Sequence, residues 1–207
     1  MLQDKIKQLQ KDDVAKTISV RMKEFKSKKT KEEIFSELCF CLMTANFNAE
    51  RSIKIQNQIG SKGFLTLPAQ KLATKLKELG HRFYNKRAEF ICLARKNYLP
   101  IIKILETEKD EQKIREYLAK TVKGLGLKEG SHFLRNIGFE NIAIVDFHII
   151  DLLVKEGLIK KLKSRTLAKK TYLKIEHTLL ELSKKVKLNL AELDLYLWYL
   201  ETGKVLK

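Results

Sequence analysis

Punctuation is scarce in this chain: 207 residues contain only two prolines and nine glycines. Long segments therefore run without a breaker, and none of them shows the sustained alternation of a half-buried strand. Cysteine is scarce as well. Cys39, Cys41 and Cys92 are odd in number, none sits in a CxxC pair, and no cysteine follows Cys92. Disulfides and a cysteine-ligated metal are thereby disfavoured, and Cys39 and Cys41, inside the apolar run 38–43, read as buried thiols. No stretch approaches the roughly eighteen consecutive apolar residues of a membrane span. The N-terminal MLQDKIKQLQKDD is polar and lacks a signal-peptide core, so the chain is expected in the cytoplasm, with the nucleoid. There is no internal repeat.

What is present is positive charge. Lysine and arginine number 42 against 25 acidic residues, a formal +17, while hydrophobic residues at 44% are enough for a packed core. The Lys- and Glu-rich surfaces of heat-adapted proteins account for many charges but not for so large an excess of one sign. A polyanion is the expected partner, either nucleic acid or an acidic membrane face.

Helical spacing dominates. An opening helix passes through Ile6, Leu9, Val14, Ile18 and Met22, with a break expected at residues 11–13. A basic connector at 26–31 leads to Thr30 and Glu33, a capping box. The helix it starts puts Ile34, Phe35, Leu38, Cys41 and Leu42 on one face. Pro68 suits the first turn of another helix and Gly80 its end. Further helices are expected at about 85–97, 100–106, 110–121, 128–137, 147–156, 166–184 and 189–201, the last capped by Asn189 and Glu192. The fold reads as all-α.

The most informative stretch is VKGLGLKEG, residues 122–130. Gly124 and Gly126 allow a tight turn and bring backbone N–H groups close to a ligand. The helix that follows offers its N-terminal amides and dipole to a phosphate, and Lys123 adds charge without base specificity. An ordinary turn between antiparallel helices would look the same. Lys128 and Asp146 are eighteen positions apart, room for one helix and a return loop, so the two side chains could meet in a cleft. A lysine that attacks a sugar C1′ must first lose its proton, which burial or neighbouring cations favour. An ionised Asp stabilises positive charge on a sugar losing its base. The plainer alternatives are a salt bridge for the pair and a helix N-cap for Asp146.

Together, VKGLGLK and the downstream VDFH, residues 145–148, resemble the LPGVGxK hairpin and VDxH element of the helix-hairpin-helix/Gly-Pro-Asp signature. That signature marks the endonuclease III superfamily of DNA glycosylases. The resemblance puts the nucleophile on Lys128 and the essential aspartate on Asp146; Lys123 stands where many members have proline. TANFNAER, residues 44–51, resembles the loop that fills the hole left by a flipped base, which implies Asn46 as the plug and Arg51 facing the orphaned base. FYNKRA, residues 83–88, resembles LYNxKA, which implies Phe83 as the wedge. His148 would contact a phosphate. The resemblance implies two helical lobes flanking a DNA-binding cleft: 1–29 with 150–207, and 30–149 with the helix-hairpin-helix at about 112–137.

The iron–sulfur branch of that superfamily needs four cysteines near the C-terminus. Their absence, the small size and the ending LDLYLWYLETGKVLK resemble the type 2 8-oxoguanine DNA glycosylases. This resemblance implies base recognition by Trp198 and the chain-terminal Lys207, no cofactor, no metal, and a monomer acting on double-stranded DNA containing 8-oxoguanine. The implied activity is base excision by Lys attack, followed by β-elimination at the abasic site. A bifunctional glycosylase for another oxidised base, and a non-enzymatic helix-hairpin-helix DNA-binding protein, are the alternatives.

Overall fold

A computed structural model describes residues 1–162, 164 and 166–207. Among the described residues there are twelve helices and no strand, as the all-α expectation requires. In chain order they are α1 (Leu2–Leu9), α2 (Val14–Lys26), α3 (Lys31–Thr44), α4 (Ala49–Thr66), α5 (Ala69–Glu78), α6 (Tyr84–Lys96), α7 (Tyr98–Thr107), α8 (Glu111–Thr121), α9 (Leu127–Asn136), α10 (Phe147–Lys155), α11 (Lys169–Val186) and α12 (Leu190–Thr202). None of them is long and apolar enough to cross a membrane.

The chain folds into two compact units, Met1–Ser27 with Gly138–Lys207, and Lys28–Ile137. The sequence reading drew its boundaries at 29/30 and 149/150. The structure moves residues 138–149 into the discontinuous unit because side chains of that unit hold them. Glu140 pairs with Lys26 at 2.8 Å and accepts from Asn189 Nδ2 at 2.7 Å, and its carbonyl accepts from Leu190 N at 3.0 Å.

In this first unit α1, α2, α10, α11 and α12 bury Ile6, Ile18, Phe25, Leu153, Ile175, Leu179 and Leu193 among one another. The expected break in the opening helix falls between α1 and α2. The cap of α12 is reciprocal, Glu192 N to Asn189 Oδ1 at 2.8 Å and Asn189 N to Glu192 Oε2 at 3.1 Å.

The second unit, α3 to α9, is built around α3. Its capping box forms as read, Thr30 N to Glu33 Oε2 at 2.7 Å and Glu33 N to Thr30 Oγ1 at 3.2 Å. The face assigned to α3 was too narrow: Cys39, Phe40 and Met43 are fully buried alongside Leu38, Cys41 and Leu42, while Ile34 lies at the margin. From residue 38 to 44 the helix is buried on every side, as in a segment surrounded by neighbours. The sequence reading drew no helix over α4, where Gly60 interrupts the pattern; the chain kinks there and resumes its helix. Pro68 caps α5 rather than opening its first turn. All three cysteines are free thiols.

Candidate active site

The hairpin between α8 and α9 is held by its own backbone. Val122 N bonds Leu118 O at 2.9 Å, closing α8, and Leu125 N bonds Val122 O at 3.1 Å across the turn. Gly124 takes φ +88°, and a Cβ there would lie 2.2 Å from Cδ2 of Phe90. Only glycine permits both that torsion and that approach. Gly126 precedes α9, and the Glu129 carboxylate reaches back to its N–H at 3.3 Å. Lys128 is thus the second residue of α9. Its side chain is 28% exposed and its Nζ lies 3.7 Å from Glu129 Oε1. A protonated amine at this point faces the positive end of the α9 dipole, with Glu129 as the compensating anion. Lys123 is exposed and paired with Glu89 at 2.8 Å, which holds the Glu89 carboxyl below its ordinary range. Such an exposed pair contributes little to stability. Sequence reasoning missed Glu129, although a carboxylate three residues past a helix-opening glycine is the acidic half of a capping box.

In the other unit, Asp146 caps α10, accepting from Ile149 N at 2.9 Å through Oδ1. The N-cap role read from sequence is therefore present; its second oxygen is not used by that bond. Residues 142–145 before it are buried but not helical, so their peptide groups need partners from elsewhere. Tyr172 and Glu176 of α11 supply them. Tyr172 Oη donates to Ala143 O at 2.9 Å and accepts from Val145 N at 3.3 Å, while Glu176 Oε1 accepts from Ala143 N at 3.0 Å. Both residues escaped the sequence reading. Their spacing of four puts them on one face of α11, and two buried polar groups on an apolar face were the available signal.

The remaining residues of this unit are His148, Trp198 and Lys207. His148 is exposed on the first turn of α10, and its ring meets Trp198 edge-on at 5.0 Å between centroids. Trp198 is half-buried, and its indole Nε1 is sealed from solvent with no hydrogen-bond partner among the described residues. Lys207 is half-buried at the chain end.

Asn46, Arg51 and Phe83 belong to the Lys28–Ile137 unit, as do Lys123 and Lys128. Asn46 is exposed in the α3–α4 connection, with φ +58°. Arg51 is exposed on the first turn of α4, where its N–H is capped by Asn48 at 2.9 Å. Phe83, 37% exposed, sits at the N-cap of α6, with the Arg82 guanidinium 4.4 Å from its ring centroid. Asn46 and Phe83 are joined through Arg82, which donates to Asn46 O at 3.1 Å. Lys128 and Asp146 lie in different units. Among the described residues no group of three or more His, Cys, Asp or Glu is placed to hold a metal ion.

These features parallel those of known proteins. The family model for 8-oxoguanine DNA glycosylase matches residues 18–188. The 8-oxoguanine DNA glycosylase/AP lyase of Methanocaldococcus jannaschii is 51% identical over 209 residues, covering 100% of this chain and 100% of that protein. The corresponding protein of Korarchaeum cryptofilum is 53% identical over 195 residues, 94% of this chain and 92% of the other. The solved M. jannaschii 8-oxoguanine glycosylase/lyase, in complex with 15mer DNA containing 8-oxoguanine, superposes with a TM-score of 0.96 at 50% identity, covering 100% of both chains. A non-covalent endonuclease III–DNA complex shares the fold at 16% identity, with a TM-score of 0.60 over 90% of this chain and 83% of that one. With the whole length matched at half identity, the chain belongs to the 8-oxoguanine DNA glycosylase family.

Proposed function

We propose that this chain excises 8-oxoguanine from double-stranded DNA and then cleaves the strand at the abasic site, with Lys128 as the nucleophile. The observation that carries the assignment is the position of Lys128: the second residue of the helix that leaves the glycine hairpin, partly exposed, beside amides suited to a phosphate. Hairpin amides and Lys123 grip the backbone. Phe83 wedges into the stack, Asn46 fills the vacated space and Arg51 faces the orphaned base. The flipped lesion stacks on Trp198, Lys207 discriminates it from guanine, and His148 meets a neighbouring phosphate. Unstacking costs a few kcal/mol, least for a damaged base.

The neutral Lys128 amine attacks C1′, and the C1′–N9 bond breaks with its electron pair leaving on the base, which is then protonated. The Asp146 carboxylate stabilises the positive charge that develops on the sugar. Ring opening gives a Schiff base between Lys128 and C1′. Loss of a C2′ proton expels the 3′ phosphate, and water then releases the lysine. Acting on DNA, the chain would work at the nucleoid.

Borohydride reduction tests the assignment, because it converts the Schiff base to a stable amine. A duplex with one 8-oxoguanine should yield a covalent protein–DNA adduct with the native chain and none with Lys128→Gln. An adduct that persists in the variant overturns the nucleophile. An adduct formed only on a duplex carrying an oxidised pyrimidine overturns the lesion.

A further inference from the structure

We propose that His81 is a positioning residue that locks the Asn46 loop to Phe83, so that plug and wedge enter DNA as one rigid element. This rests on the roles given above to Asn46 and Phe83.

His81 is 1% exposed and lies in the short connection between α5 and α6. Its Nδ1 accepts from Phe83 N at 3.1 Å, so the ring proton belongs on Nε2, which donates to Met43 O at 3.0 Å. One neutral imidazole thus bridges the last turn of α3 to the N-cap of α6. Burial, with Arg87 and Arg82 nearby, lowers its pKa and keeps the ring in that uncharged form. Phe47, the residue after Asn46, stacks on the same imidazole at 4.1 Å between centroids and 30° between planes. Met43, Phe47 and Phe83 are therefore all registered on one ring.

Two arginines form a second strap. Arg82 donates to Asn46 O at 3.1 Å while lying over the Phe83 ring, and Arg87 donates to Ala45 O. Asn46 itself holds a left-handed φ of +58°, a torsion that persists in a non-glycine residue only when its surroundings over-determine it. A plug and a wedge must act on the same base step. If their loops moved independently, each ordering cost would fall on the flipping event.

Two conservative substitutions separate the two halves of the bridge. His81→Gln retains a donor that reaches Met43 O but not the acceptor for Phe83 N–H; His81→Asn retains that acceptor but falls short of Met43. The measurements are single-turnover release of 8-oxoguanine from a duplex and borohydride trapping on a single-stranded abasic oligonucleotide. The single strand has no partner strand to wedge and no hole to fill. In both variants duplex release should fall about ten- to a hundredfold, while single-strand trapping stays within about twofold of the native chain. Arg82→Lys keeps the charge at an exposed position and loses the planar guanidinium that bonds Asn46 O while lying over Phe83; it should show the same pattern, reduced to a few-fold. Duplex release at the native rate in both His81 variants overturns the inference. A parallel fall of both readouts also overturns it, since the role would then be structural only. A native chain that releases no 8-oxoguanine overturns the excision reading itself, and the inference with it.

Discussion

The α8–α9 hairpin and the segment leading into α10 each deliver one charged side chain to a helix N-terminus, by opposite means. The hairpin's backbone shapes itself: its main-chain hydrogen bonds run between residues three or four apart, while Phe90 packed against Gly124 and Glu89 paired with Lys123 tie it to α6. Among the described residues the segment 142–145 has no such internal bonding, and it depends on Tyr172 and Glu176, about thirty residues downstream. Lys128 is thus placed by local chain chemistry and Asp146 by a distant helix. Substitutions that respect this difference should give different signatures.

The largest effect should come from Asp146→Asn. The amide keeps an oxygen for Ile149 N–H, so the cap survives, and stability should change by under about 1 kcal/mol, chiefly from the lost charge at the helix dipole. Base release should nevertheless fall on the order of 10²–10³-fold, because a neutral amide cannot stabilise a cationic sugar. Paired thermal melting and single-turnover assays check both halves. Large destabilisation with a native rate per folded molecule would reduce Asp146 to a helix cap.

The hairpin's two glycines should differ next. In Gly124→Ala the new methyl would collide with the Phe90 ring at a positive φ. Left-handed strain of about 1–2 kcal/mol and overpacking of about 1–3 kcal/mol together suggest a loss of roughly 2–5 kcal/mol. Gly126→Ala meets only the mobile end of Glu129 at an ordinary torsion, and should stay within about 1 kcal/mol of the native chain. Urea midpoints distinguish the two. Equal losses would mean that the hairpin is not anchored on Phe90.

That asymmetry explains what the sequence made legible. Helix caps at Thr30, Asn189 and Asp146 could be read because a cap is a relation between residues three apart. The hairpin was legible for the same reason. His81 was not: its partner Met43 is 38 residues away, and an isolated histidine in a short connection follows no period. The burial of residues 38–44 of α3 on every side was also hidden, since spacing reports how apolar one face is, not how many neighbours the other faces acquire. α4 went undrawn, and Gly60 at its kink breaks the helical run in two.

Tyr172→Phe probes the distant support directly, and should destabilise somewhat less than Gly124→Ala. The hydroxyl is both donor to Ala143 O and acceptor from Val145 N, so its removal leaves two buried peptide groups without that partner while the ring remains in place. A loss of about 1–3 kcal/mol follows if neither group finds water. Because Val145 immediately precedes Asp146, base release should fall as well, whereas DNA affinity should stay near native if, as proposed, the hairpin amides and Lys123 grip the backbone. Hydrogen exchange at Val145 reads the support itself: the amide should exchange faster in the variant, while that of Leu125, bonded within the hairpin, should not. Faster exchange at both would show that the two regions open together, and the contrast between local and distant support would not hold.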